Sequence, residues 1–154
     1  MKREALIAAM KDSISDVLEK MFFLSLDFFD TASPEELLTD EMVMSKLRFT
    51  GPFTGYFLLS VPKRYILSLA ANFLGENKGN ISQDQGNEIV KEAVNMLAGT
   101  TFFYYDEQVV FGLGIPEFIP SAQLQSGYFN YEKDIFIGID TLGCRLGLSL
   151  IINS

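Results

Sequence analysis

A chain of 154 residues suits one domain with a substantial core, and its 48% apolar content, with 14 Phe and 6 Tyr, predicts that it folds. Its 12 basic and 20 acidic residues give a net charge of -8, which argues against nucleic acid or anionic membrane as partners and points to a basic protein patch. Histidine is absent, which excludes histidine acid/base catalysis, Ser-His-Asp and Cys-His arrangements, and the commonest zinc ligand.

The N-terminal "MKREALIAAMKDSISD" lacks signal-peptide architecture, because "ALIAAM" is short and runs into Lys11 and Asp12. No run is long enough to cross a bilayer, so the chain reads as soluble and cytoplasmic. Residues 2 to 22 predict a long helix with Ile7, Met10, Ile14, Val17, Leu18 and Met21 on one apolar stripe. Periodicity is weaker from "FLSLDFF" to "EELLTDEMVMSKLRF". Ser33-Pro34 and Thr39-Asp40 mark turns there, the acidic "SPEELLTDE" is a solvated helix start without EF-hand spacing, and "VMSKLRF" fits a strand.

"GYFLLSV", residues 55 to 61, is a continuous apolar run of the kind buried on both faces of a sheet. Pro62 then opens a helix carrying Tyr65, Ile66, Leu69, Ala70 and Phe73, and Gly75 ends it. "ENKGNI" is a loop. Ser82 and Gln85 form a capping box that starts the next helix at about residue 83. Beyond "TTFFYYDEQ" come three strand-like stretches, "QVVFGLGI", "DIFIGID" and "CRLGLSLII".

Glycines 112, 114, 138, 143 and 147 lie in or beside those stretches and mark bulges or close approach. Cys144, the single cysteine, reads as a buried thiol and is compatible with a reducing compartment. Helices do not alternate regularly with strands, so the pattern predicts one α+β domain, residues 1 to 154, with a largely antiparallel sheet.

The candidate site lies in "NEIVKEAVNMLAG", residues 87 to 99. At about 100° per residue, Glu88, Glu92, Asn95 and Gly99 fall within a sector of roughly 60°, and Ile89, Val90, Ala93, Met96 and Leu97 take the other side. Geometry by itself fits a solvated face as well as a docking surface. Asparagine returns little in an exposed helix interior, and Gly99 leaves room for another backbone. No Walker-type or G-x-G-x-x-G phosphate loop is present.

"EAVNMLAG" resembles the E-x-x-N helix of the CheC/CheX/FliY family, bacterial proteins that act on phosphorylated CheY-type receiver domains. The family motif places Asp or Ser four positions before the Glu, and a proline well downstream of the Asn. Glu92 and Asn95 match the Glu and Asn, whereas Glu88 stands at the Asp/Ser position. Pro116 and Pro120 fall on either side of the proline position, with Pro120 the better counterpart because Ser126-Gly127 follows it. "TGYFLLSVPKRYILSLAANFLGE" is similar to the family's strand-then-helix approach. The comparable place on the first helix reads Glu19-Lys20-Met21-Phe22, with Phe where a second Asn would stand, so the pattern is CheX-like with one site per chain.

The resemblance implies a CheC-like fold with a long N-terminal helix and a central pair of helices. It implies a chemotaxis-type, two-component phosphatase that hydrolyses the aspartyl phosphate of a CheY-type response regulator, as a homodimer. Asn95 then orients the attacking water and Glu92 pairs with the receiver's lysine, with Glu88, Gly99 and Pro120 as supporting or partner-contact positions. This chain binds no cofactor in that picture; Mg2+ is expected on the receiver. The alternatives are a non-catalytic receiver-binding or flagellar-switch-like module, and a self-associating structural domain.

Overall fold

A computed structural model describes residues 1–119, 129–141 and 143–153. α1 (Arg3–Ile14) runs on through a π-helical turn, Ser15–Glu19. There follow β1 (Leu26–Thr31), α2 (Pro34–Leu37), β2 (Met42–Thr50), β3 (Gly55–Pro62), α3 (Ile66–Leu74) and α4 (Gln83–Tyr105). The chain closes with β4 (Gly112–Leu113), β5 (Glu117–Ile119), β6 (Ile135–Thr141) and β7 (Cys144–Ile152). The strands form one sheet in the order β1-β6-β7-β3-β2, with β4 and β5 both on the outer side of β2. Every pairing is antiparallel. The fold is therefore α+β with a large antiparallel sheet, as the order of elements predicts. No helix of the described residues is long and apolar enough to cross a membrane.

β3 is central, and its unbroken apolar run follows from burial on both faces. Phe57, Leu59 and Val61 point to the helical layer, where they meet Leu6, Met10 and Ile14 of α1 and Val90, Val94 and Leu97 of α4 in the main core. Leu58 points to the other face, where Leu37 of α2, Met44, Phe129, Phe136 and Ile151 form a second cluster. Two of the glycines serve that cover. A Cβ at Gly147 would lie 2.7 Å from Leu37, and one at Gly138 would run into Arg145 and Asp30. Arg145 pairs there with Asp30 at 2.8 Å, Asp140 at 2.6 Å, and Glu36, tying α2 to three strands.

Four local expectations change. β1 and β5 form where the sequence carries little periodicity. "QVVFGLGI" is a strand only at Gly112–Leu113, because a turn closed by Asp106 precedes it and Pro116, lacking an N–H, separates β4 from β5 on this edge. Pro62 ends β3, and a 3-10 turn, Lys63–Tyr65, intervenes before α3, whose C-cap is Gly75 in the left-handed conformation (φ 66). The first helix ends at Glu19 in a π turn, short of residue 22. Beyond it the chain turns, with Phe22 fully buried and Met21 outward at 45% exposure.

The α4 capping box is present in both directions. The Gln85 N–H donates to Ser82 Oγ at 3.1 Å, and the Ser82 N–H donates to Gln85 Oε1 at 2.9 Å. Ser82→Ala is expected to lower the unfolding free energy by ~1 kcal/mol, read from the urea midpoint at unchanged slope.

Candidate functional site

α4 is the platform. Val90, Ala93, Val94, Leu97, Ala98 and Phe102 are buried against the sheet and neighbouring helices. The buried Ser13 hydroxyl of α1 donates to the Leu97 carbonyl at 2.7 Å, and Gly86 lets Ile66 and Leu67 of α3 pack closely. With α1 and α3 both locked to it, α4 holds its outward face at a set orientation.

That face carries Glu88, Glu92, Asn95 and Gly99, opposite the core. Glu88 and Glu92 are exposed; Asn95 and Gly99 are partly exposed. Glu88 forms an ion pair with Lys91 at 2.7 Å, a surface i,i+3 contact of small energetic weight. Among the described residues, neither Glu92 nor Asn95 has an intramolecular hydrogen-bond or ion-pair partner for its side chain. A carboxylate and a carboxamide therefore stand one turn apart on a stiff helix with their polar atoms uncommitted. Nearer the end of α4, Tyr104 donates to Asp16 of the first helix, and Lys20 pairs with the same carboxylate at 3.0 Å. The hydrogen bonds from Tyr104 and Lys20 hold Asp16 below the usual carboxylate range.

Of the sequence candidates, Glu88, Glu92, Asn95 and Gly99 share this stripe. Pro116 lies in the segment between β4 and β5. Pro120 lies outside the described residues. Just beyond the first helix, Phe22 is fully buried and stacked on Phe73, with ring centroids 4.7 Å apart. That position is core, so the first helix offers no exposed carboxamide beside Glu19. One feature escapes sequence reasoning: a hollow beside Gly99 walled by Phe103, Val110, Phe111 and Leu113. Its only trace in the sequence is the apolar "VVF", residues 109 to 111, which reads as strand.

Among the described residues no group of three or more His, Cys, Asp or Glu is arranged to hold a metal ion. Glu92 and Asn95 project from the outer side of a helix, which does not by itself enclose a small substrate as a cleft does. Its geometry suits insertion into the concave site of another macromolecule.

The model of the family described as chemotaxis phosphatase CheX matches residues 43–140. Among solved structures, this chain resembles the CheX-CheY-BeF3-Mg2+ complex from Borrelia burgdorferi at 16% identity, with 96% of this chain and 97% of that chain covered and a TM-score of 0.71. It resembles CheX from Vibrio vulnificus at 16% identity, with 96% of each chain covered and a TM-score of 0.72. FliY from Thermotoga maritima follows at 13% identity, with 98% of this chain and 91% of that chain covered and a TM-score of 0.62. None of the curated proteins matches the chain significantly. At these identities the structural likeness establishes a common fold.

Proposed function

Because the chain belongs to the CheX family of chemotaxis phosphatases, we propose that it dephosphorylates a CheY-type receiver domain, acting as one domain over residues 1 to 154. The reading rests most on one observation: Glu92 and Asn95 stand uncommitted, one turn apart, on the outer face of a helix buttressed from behind.

The proposed chemistry is divided between groups of the receiver and groups of this chain. A Mg2+ held by the receiver would neutralise charge on the phosphoryl group. A water then attacks phosphorus in line, the bond from phosphorus to the aspartyl oxygen breaks, and free carboxylate and inorganic phosphate leave. Such transfer depends on positioning and electrostatics more than on covalent help. A carboxamide is too weak a base to deprotonate water, but its N–H donates and its carbonyl accepts, so Asn95 fixes the direction of the attacking lone pair. Glu92 has a separate task. Its carboxylate pairs with the receiver's lysine and sets the depth to which Asn95 reaches. Glu88, Gly99 and Pro120 are proposed as supporting or contact positions. On the same family footing we place the chain in the cytoplasm as a homodimer.

The test follows the decay of a receiver phosphorylated by a small-molecule donor, with and without the protein. Acceleration supports the phosphatase reading; binding with an unchanged phosphoryl lifetime would leave a receiver-docking module instead. Glu92→Ala is expected to weaken receiver binding by roughly 10- to 100-fold, the scale of a lost charge-assisted hydrogen bond, and to slow turnover as well. Titration against receiver activated with beryllofluoride measures the first effect separately from the second. Unchanged affinity would remove the docking role.

A further inference from the structure

Two glycines in α4 are there for opposite reasons. At Gly86 a Cβ would come within 2.8 Å of Ile66 Cγ2, so the packing of α3 on α4 requires its absence. At Gly99 a Cβ would meet only Leu113 Cδ1, at 3.8 Å, an ordinary contact. Gly99 also sits well inside a 23-residue helix, where glycine is disfavoured against alanine. Nothing within the described chain calls for the missing methyl group.

What the glycine leaves is the floor of a hollow of about 300 Å3, lined by Gly99, Phe103, Val109, Val110, Phe111 and Leu113. Its walls are apolar and open to solvent: Val110 is 85% exposed and Phe103 62%. Asp106 and Glu107 also line it, so the ligand chemistry it fits is an apolar side chain with basic groups nearby. The hollow begins one helical turn, about 6 Å, beyond Asn95. A standard protein interface covers about 800 Å2 per partner, a patch reaching roughly 15 Å from its centre. A patch of that reach centred on Asn95 therefore also covers the hollow.

We propose that this hollow receives an apolar side chain of the phosphorylated receiver, close to the lysine that Glu92 engages. Gly99 is left bare so that the receiver can approach α4 closely. The inference rests on the phosphatase reading and adds a specificity pocket to its site.

The experiment compares full-length wild type, Gly99→Ala, Val110→Asp and Asn95→Ala for receiver dephosphorylation, thermal midpoint and molecular mass. Gly99→Ala is expected to raise the thermal midpoint by about 2–4 °C while raising KM roughly tenfold. Val110→Asp, on an exposed side chain, is expected to leave the midpoint unchanged and raise KM tenfold or more, with kcat within about twofold of wild type. If both variants keep the wild-type KM while Asn95→Ala loses turnover, the phosphatase reading stands and the pocket is disproved. If wild type itself fails to speed phosphoryl decay, the phosphatase reading fails, and unaltered receiver binding by both variants then disproves the pocket too. A Val110→Asp protein with altered mass but unaltered KM assigns the hollow to contact between copies and overturns the inference.

Discussion

Replacing Asn95 with Ala is expected to slow receiver dephosphorylation by ~10²-fold or more, with affinity for the activated receiver within about twofold of wild type. The split follows from what a carboxamide can supply. It adds no charge to a docking surface, so its loss takes little from ground-state binding. It does fix the approach of a water molecule, and an attacking group that must find its own line of approach loses the advantage of prior placement. Asn95 is partly exposed and its helix buries the opposite face, so alanine should not unfold the protein. Alanine is in fact the better helix residue, and an unchanged or higher thermal midpoint rules out a trivial loss of fold. Two related changes sharpen the result. Asn95→Asp keeps the size but loses the N–H donor and brings negative charge toward a phosphoryl group, so it should be as slow as alanine. Asn95→Gln keeps the amide but moves it by about one methylene, and should recover only part of the rate. Single-turnover decay at saturating protein measures each. An Asn95→Ala protein with wild-type turnover would end the proposed mechanism.

Phe22→Asn is expected to destabilise the protein by ~3–5 kcal/mol and to create no second site. The substitution completes Glu-x-x-Asn at Glu19 and residue 22, and by spacing alone it should add activity. The side chain at 22 is fully buried and stacked on Phe73, however. Asparagine there would leave a cavity in the main core and bury an amide with no prepared partners. Urea unfolding at equilibrium gives the stability, and turnover per chain in buffer without denaturant gives the activity. A stable variant with twice the turnover would show that this position is presented outward, contrary to its burial.

The difference between these two positions shows how far local pattern reaches. The α4 stripe was legible because its 3.6-residue period is written in adjacent residues, and its start was legible because Ser82 and Gln85 satisfy each other's backbone groups. β3, β6 and β7 were legible because central strands buried on both faces need long apolar runs; β2 was legible from "VMSKLRF", although Lys46 and Arg48 interrupt it. β1 was not. "LDFFDT" puts Asp27, Phe28 and Asp30 in solvent, and becomes a strand only because β6 offers it a partner edge. That Phe22 and not Met21 enters the core was equally hidden, since the first helix ends at Glu19 and the chain turns before both.

By itself the amino-acid sequence determined the polar stripe on α4, the α+β class, and the resemblance that names a family, because each depends on residues within a turn or two of one another or on a short motif. Tertiary structure alone decided that Phe22 and not Met21 enters the core beyond the first helix, and that the glycine at 86 serves packing while the one at 99 does not. It also decided that the chain from 109 to 113, drawn onto the edge of β2, forms a hollow beside Gly99. The physical reason is the same throughout: helix period and capping act between near neighbours, whereas burial and an open surface are set by segments far apart in the chain.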